Sequence, residues 1–552
     1  MNREQRHIIK RQTIELKVEG GTPSQQFQAE ISRIYHQRIV PLINEYCTAL
    51  SAPDHIHRLD LLEIDLGSIN IKRLEADLVA KIRATLYQAL ANQISQQEQA
   101  AKPQQPNLKA RSQLELLTFF VQTGNLPWWA EATQPQLLEN CLQYLIQTTP
   151  ESLRRLMRKW GQENRLLHRL VFHYEDKPLS KLANLLAPSL NYSLAADPQI
   201  LSLFLQKSPI AAGKSATQLK QHIWYIILQV LSLAGTQFST PNSFYQTILT
   251  RIATELGTTY KALLIAVHQV LPETQALVHS KLKNILENLY LEQVDNIKTQ
   301  PTTPKKSSSE ARQNGLAFLP QHTNQSRHSI NELDELALQQ PVAALNHEFS
   351  KELFELTYEI NETWNQEDNV TTTRDDIQLD LSFSEADELY INNAGLVILW
   401  PFLSHFFTHL DLLEDNKQFK NLAAMQRAVA LLQYLAIEND NFPEYWLTLN
   451  KVLCGMAITD VYHLDSPFLE SEMSECATLL KAVIVQAPIL RDMSESGLRG
   501  TFLLRAGVLS TRNGAWLLRV ERETYDIVLD HFPWNWVWVK LPWMELPLRV
   551  EW

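Results

Sequence analysis

GLRGTFLLRAGVLSTRNGAWLLRVERETYDIVLDHFPWNWVWVKLPWMELPLRVEW, residues 497–552, is the stretch whose reading decides the fold. Trp516, Leu518 and Val520 alternate with Leu517, Arg519 and Glu521, the period of two of a half-buried strand. The apolar run Phe502 to Leu509 lies before it, and Asn513-Gly514, a pair that tolerates positive φ, lies between. The spacing predicts a hairpin. Trp534, Trp536 and Trp538 are expected on one face of a further strand bracketed by Pro533 and Pro542, with Trp543 and Met544 following. Five of the 13 tryptophans fall in the last 19 residues. Such a segment either builds a small β core or presents part of its aromatic face for docking, since aromatics concentrate at interface hot spots.

A chain of 552 residues exceeds one core and predicts several domains. Its net charge of −11 argues against a general affinity for nucleic acid or anionic lipid, both of which need a basic face. The four cysteines, Cys47, Cys141, Cys454 and Cys476, show no CxxC spacing, which fits a reducing compartment or simple core packing and no disulfide or zinc framework. The N-terminal MNREQRHIIKRQ lacks the apolar core of a secretion signal. The most apolar run, residues 394–410, is interrupted by Pro401, Ser404, His405 and His409, so no membrane span is expected. Together these readings predict a cytoplasmic protein without direct membrane insertion.

Working back along the chain, residues 1–95 read as a small β-α-β-α unit. Its strands are Thr13 to Val18 and Leu59 to Leu66, expected to pair, and Pro41 kinks or divides the first helix. Residues 96–107 are polar and Gln/Pro-containing, hence a linker. Residues 108–297 read as an irregular domain of eight to ten helices. Pro150 and Gly161 bound one helix, and Thr240-Pro241 and Gly257 bound another. Residues 298–385 are expected to be a flexible linker carrying a possible docking helix. Residues 386–552 read as helices followed by antiparallel β structure. The fold class is therefore mainly α with α+β ends.

Chemical motifs are weak. Gly213-Lys214-Ser215 ends like a phosphate loop, but Ser208 stands where the first glycine belongs and Pro209 interrupts it. His405 and His409 are four apart on a predicted helix without an identifiable third ligand. No GxSxG is present. The sequence predicts no catalytic residue, no metal site and no cofactor; a metal- or nucleotide-dependent enzyme is the remote alternative.

More specific are LLTFFVQTGNLPWWA (116–130), NNAGLVILWPFLSHFF (392–407) with RAVALLQYLA (427–436) and LNKVLCG (449–455), and YDIVLDHFPWNWVWVKLPWM (525–544). HIIKRQTIELKV (7–18) and LDLLEIDLGSI (59–69) complete the set. This pattern resembles the contractile injection system tape measure proteins encoded with phage-tail-like particles. The resemblance implies tube-length determination during assembly, within or alongside the particle, with inner tube, baseplate hub and cap or terminator proteins as partners. Candidate partner-binding residues are Trp534, Trp536, Trp538, Trp543, Met544, Trp128 and Trp129. The residues themselves also suggest another job. A linear ruler calls for long uninterrupted helix at about 1.5 Å per residue, whereas 25 prolines and short capped helices describe folded domains. An assembly chaperone or adaptor docking on hub, plug or cap components is therefore the alternative.

Overall fold

The structure, a computed structural model, describes residues 7–10, 12–17, 25–51, 57–59, 61–100, 108–132, 134, 136–190, 193–211, 213–234, 238, 240–271, 280–298 and 388–552. The expected linker and docking helix of 298–385 lie outside these residues, apart from Lys298. Two compact units emerge: residues 1–118 with 126–148, and residues 119–125 with 149–552.

In the first unit, helix α1 (Gln25–Ile34) passes through a π turn (Tyr35–Ile39) into α2 (Val40–Leu50). Pro41 has no N–H to give the preceding turn, and the helix accommodates it by widening. The long helix α3 (Leu74–Ala100) lays Leu78, Ile82, Leu86 and Leu90, one residue per turn, against Ile31, Ile34, Ile39 and Leu42. It runs past residue 95, into the stretch expected to be a linker.

Among the described residues the expected pair of N-terminal strands does not form. Neither residues 12–17 nor residues 61–70 are assigned as strand. The second stretch keeps its alternation, with Leu62, Ile64 and Leu66 half-buried against the helices. Its carbonyls are taken by α3 side chains instead of a neighbouring strand. Lys81 Nζ donates to the carbonyls of Leu66 at 2.8 Å and Ser68 at 2.6 Å, and Gln93 Nε2 donates to that of Leu61 at 3.0 Å. Ile14 and Leu16 of the first stretch remain exposed.

Helices α4 (Leu108–Thr123) and α5 (Leu137–Thr148) follow. Then come α6 (Pro150–Gly161), α7 (Asn164–His173), α8 (Asp176–Leu186), α9 (Asp197–Lys207), α10 (Ala216–Ala234), α11 (Pro241–Glu255), α12 (Tyr260–Val270) and α13 (Ser280–Lys298). The ten helices among the described residues and both punctuated boundaries agree with the sequence reading: Pro150 and Gly161 bound α6, Thr240 caps α11 and Gly257 follows it at φ +67°. In the second unit α10 is central, packed by α6, α7, α8, α9 and α11. It buries Leu219, Ile223, Trp224, Ile227, Leu228 and Leu231, the all-round apolar character of a core helix.

The C-terminal block begins with strand β1 (Leu389–Ile391), which the sequence reading did not anticipate. A 3₁₀ segment (Ala394–Leu399) leads into α14 (Trp400–His409), and Pro401 sits in its first turn, where a missing N–H costs nothing. Helices α15 (Leu422–Ile437), α16 (Thr448–Leu453) and α17 (Glu470–Gln486) complete the cover. Strands β2 (Gly507–Arg512) and β3 (Ala515–Val520) form the expected hairpin, with Asn513 at φ 52° and Gly514 at φ +71°. Phe502 and Leu503 belong to the preceding π turn and not to the strand. With β4 (Trp538–Val539) and β5 (Leu548–Glu551) the order is β1-β2-β3-β5-β4. The sheet is mixed, not purely antiparallel: β3 and β5 run parallel, joined by the long 521–547 crossover that such pairing requires.

The block is fastened to the helical array inside the second unit by buried charge. Arg169 of α7 is fully buried. Its Nε donates to Glu444 Oε2 at 3.0 Å, Nη1 to the Val121 carbonyl at 2.7 Å, and Nη2 to the Thr459 carbonyl at 2.6 Å. Lys451 Nζ reaches the same carboxylate at 2.7 Å and the Asp460 carbonyl at 2.7 Å. Burial pulls the Lys451 ammonium below its ordinary value, and Glu444 opposes the pull. Two cations on one carboxylate persist here because carbonyls absorb the remaining donors.

Candidate docking surface

The tryptophan segment is pinned by its own indoles. Trp534 Nε1 donates to the Ile398 carbonyl at 3.0 Å, and Trp400 Nε1 donates to the Asn535 carbonyl at 2.9 Å. These crossed bonds tie residues 534–535 to the 3₁₀ segment and leave only Trp538–Val539 as strand. The expectation that Trp534, Trp536 and Trp538 share one face of a strand is therefore corrected. Trp536 and Val539 both point inward, three residues apart, so the alternation slips by one between them. Trp534 is half-buried against Phe402 and Phe532, with ring centroids 5.2 Å away in each case. Trp538 turns outward and is 53% exposed.

Trp543 and Met544 are buried. Trp543 Nε1 donates to the Leu453 carbonyl at 2.8 Å, and its ring meets Phe407 and Phe419. Gly455, at φ +71°, lies so close to the Trp543 carbonyl that a Cβ there would come within 2.4 Å of the oxygen. These two side chains hold the fold together. In the first unit Trp128 is 37% exposed, and Trp129 lies under the Arg58 guanidinium, 5.0 Å from the ring centre.

The register of the sheet places Trp538 beside Arg549, on the face opposite the core residues Leu509, Leu518 and Val550. Val537 is 52% exposed next to it, and Leu546 is exposed in the turn between β4 and β5. Strand β4 is an edge of the sheet. This edge, with an exposed indole flanked by a valine and a leucine, can accept a partner's apolar side chains; the neighbouring Arg549 guanidinium already pairs with Glu551 at 3.0 Å. Val537 and Leu546 were not singled out from the sequence, because the slip that exposes them has no compositional signature.

Behind this surface the last residue is locked. Arg505 Nη1 meets Asp526 Oδ1 at 2.6 Å, and Trp552 Nε1 donates to Asp526 Oδ2 at 3.0 Å. Burial raises the Asp526 carboxyl, but Arg505, the Glu523 amide and the Trp552 indole together hold it below its ordinary value.

The other sequence candidates are placed as follows. Residues 201–207 belong to α9 and not to a strand, so Gly213-Lys214-Ser215 is a turn between helices. His405 and His409 sit with ring centres 6.2 Å apart, and His409 Nε2 lies 3.8 Å from Glu475. Among the described residues no group of three His, Cys, Asp or Glu is arranged to hold a metal ion. All four cysteines are free, and burial pushes the Cys141 and Cys476 thiols up to about 12, so neither is a thiolate at neutral pH. No described helix is long and apolar enough to cross a membrane.

The family model for contractile injection system tape measure proteins matches residues 6–552. The chain belongs to that family. The match covers nearly the whole sequence. Membership assigns a structural role and implies association with other components of the contractile tail. No curated protein and no solved structure matches the chain.

Proposed function

We propose that this chain acts as a folded, non-catalytic assembly component of the contractile tail, made in the cytoplasm and contributing to tube-length determination through protein–protein contacts. Its docking surface is the β4 edge, centred on Trp538 with Val537 and Leu546. Trp128 and Trp129 provide a second contact on the first unit. Inner tube, baseplate hub and cap proteins are the partners. Neither nucleic acid nor membrane insertion has a part in the role.

The observation that carries this reading is length. The longest described helix, α3, has 27 residues and spans about 40 Å at 1.5 Å per residue. The other described helices are shorter and close around buried cores, which would have to be exposed before the chain could act as an extended ruler. The same observation favours a second reading, an assembly adaptor or chaperone that docks through the same edge.

The test combines Trp538→Ser with Val537→Ser in the intact gene. Loss of co-purification with tail components, together with particles of aberrant length, supports the proposal. Normal binding and normal length would overturn it. Mass spectrometry of finished particles separates the two jobs, since a chaperone leaves and a resident component stays.

A further inference from the structure

Helix α7 carries its most consequential side chains on the seam with the C-terminal block. Beside Arg169 stands a column of rings. His463, from the loop after α16, stacks on Phe172 with centroids 4.1 Å apart. Phe172 neighbours His168 at 5.5 Å, and His168 lies parallel to Tyr225 of α10 at 4.2 Å and 1°. On the other side His173 packs on Phe120 at 4.6 Å and near Tyr445 at 6.4 Å. At this joint His168 and His463 thus stack face to face with their neighbours, and His173 packs at a tilt against Phe120 and Tyr445. We propose that this joint is an acid-releasable seam, closed while His168, His173 and His463 are neutral and opened when they take up protons.

The electrostatic surroundings set the direction. His168 faces His222 and Glu255, the latter held by Arg251, and also His463. His463 is 3.3 Å from Asp465, which in turn accepts from Gln218. His173 faces Glu444, whose charge is already shared by Arg169 and Lys451. Asp460 and Tyr462 complete the block's side, with Arg427 further along it. The carboxylates favour protonation, but burial outweighs them: all three histidines are held below their ordinary value, His173 at about 4. A seam histidine with a lowered pKa is neutral when closed and charged when open. Proton uptake therefore favours the open form as pH falls from about 6.5, the ordinary histidine value, towards 4.

The test is hydrogen exchange on the full chain between pH 7.5 and 4.5, corrected for intrinsic rates, following peptides from α7 and 444–465 against peptides from β2 and β3. The expected result is a reversible loss of seam protection, at least tenfold, while the hairpin stays protected. Replacing all three histidines by phenylalanine, which keeps the stacking, should lower the midpoint by more than one pH unit. Single replacements, each expected to move it part-way, serve if the triple variant does not fold. Protection that survives to pH 4.5, that is lost together with the hairpin, or that is lost at an unchanged midpoint in the variants would overturn the proposal.

Discussion

Two stretches of this molecule carry the same alternating signature and fold differently. In residues 507–520 the alternation becomes a laddered hairpin with Leu509 opposite Leu518. In residues 61–66 Leu62, Ile64 and Leu66 alternate equally well, yet Lys81 and Gln93 occupy the carbonyls and no ladder forms among the described residues. Alternation reports which side chains face a core. A strand also needs a second backbone to pair with, and Asn513-Gly514 supplies one only at the C-terminal end.

The contrast can be broken most forcefully by removing a side chain from each core. Trp543→Ala should cost the second unit about 3–5 kcal/mol, because a buried indole and its hydrogen bond to Leu453 are both lost. Ile64→Ala, at a half-buried position, should cost the first unit only about 1 kcal/mol. Denaturant titration with probes in each unit checks both, and equal losses would erase the distinction. Lys81→Met comes next. It leaves two carbonyls without a charged donor and should destabilise the first unit by about 1–2 kcal/mol while leaving exchange in β2 and β3 unchanged.

A smaller effect is set by acid. Asp526 has a depressed folded-state pKa, so its contribution is complete above about 3.9, the unfolded value, and is lost as pH falls through the folded one. Asp526→Asn should be less stable at neutral pH and show a flatter stability profile below pH 4, measured by thermal melts across that range. A variant that keeps the full wild-type slope would remove Asp526 as its source. The smallest stability effect belongs to Trp538→Ser. An exposed position should change unfolding by no more than about 0.5 kcal/mol. Its consequence should appear in binding to tail components alone.

Much of the architecture was legible where local chemistry is decisive. Pro150 with Gly161, and Thr240-Pro241 with Gly257, mark helix ends because a missing N–H and a positive φ are properties of single residues. The hairpin was legible for the same reason. What escaped the sequence depends on distant partners. The Arg169–Glu444 pair joins residues 275 apart, and β3 pairs in parallel with β5 across a crossover that no dipeptide announces. The tryptophan cluster was found, but its division into packed and exposed members was not. Trp536, Trp543 and Met544 face inward and Trp538 faces out because of one slipped residue before Val539.

The central claim is that the chain engages the tail as a folded module, and hydrogen exchange on the protein bound to assembling tubes tests it directly. Amides of α15, β3 and β5 should remain as protected as in the free protein. The β4 edge around Trp538 should gain protection. Loss of protection throughout those core elements on binding would mean that the chain unravels to do its work, and would contradict the account.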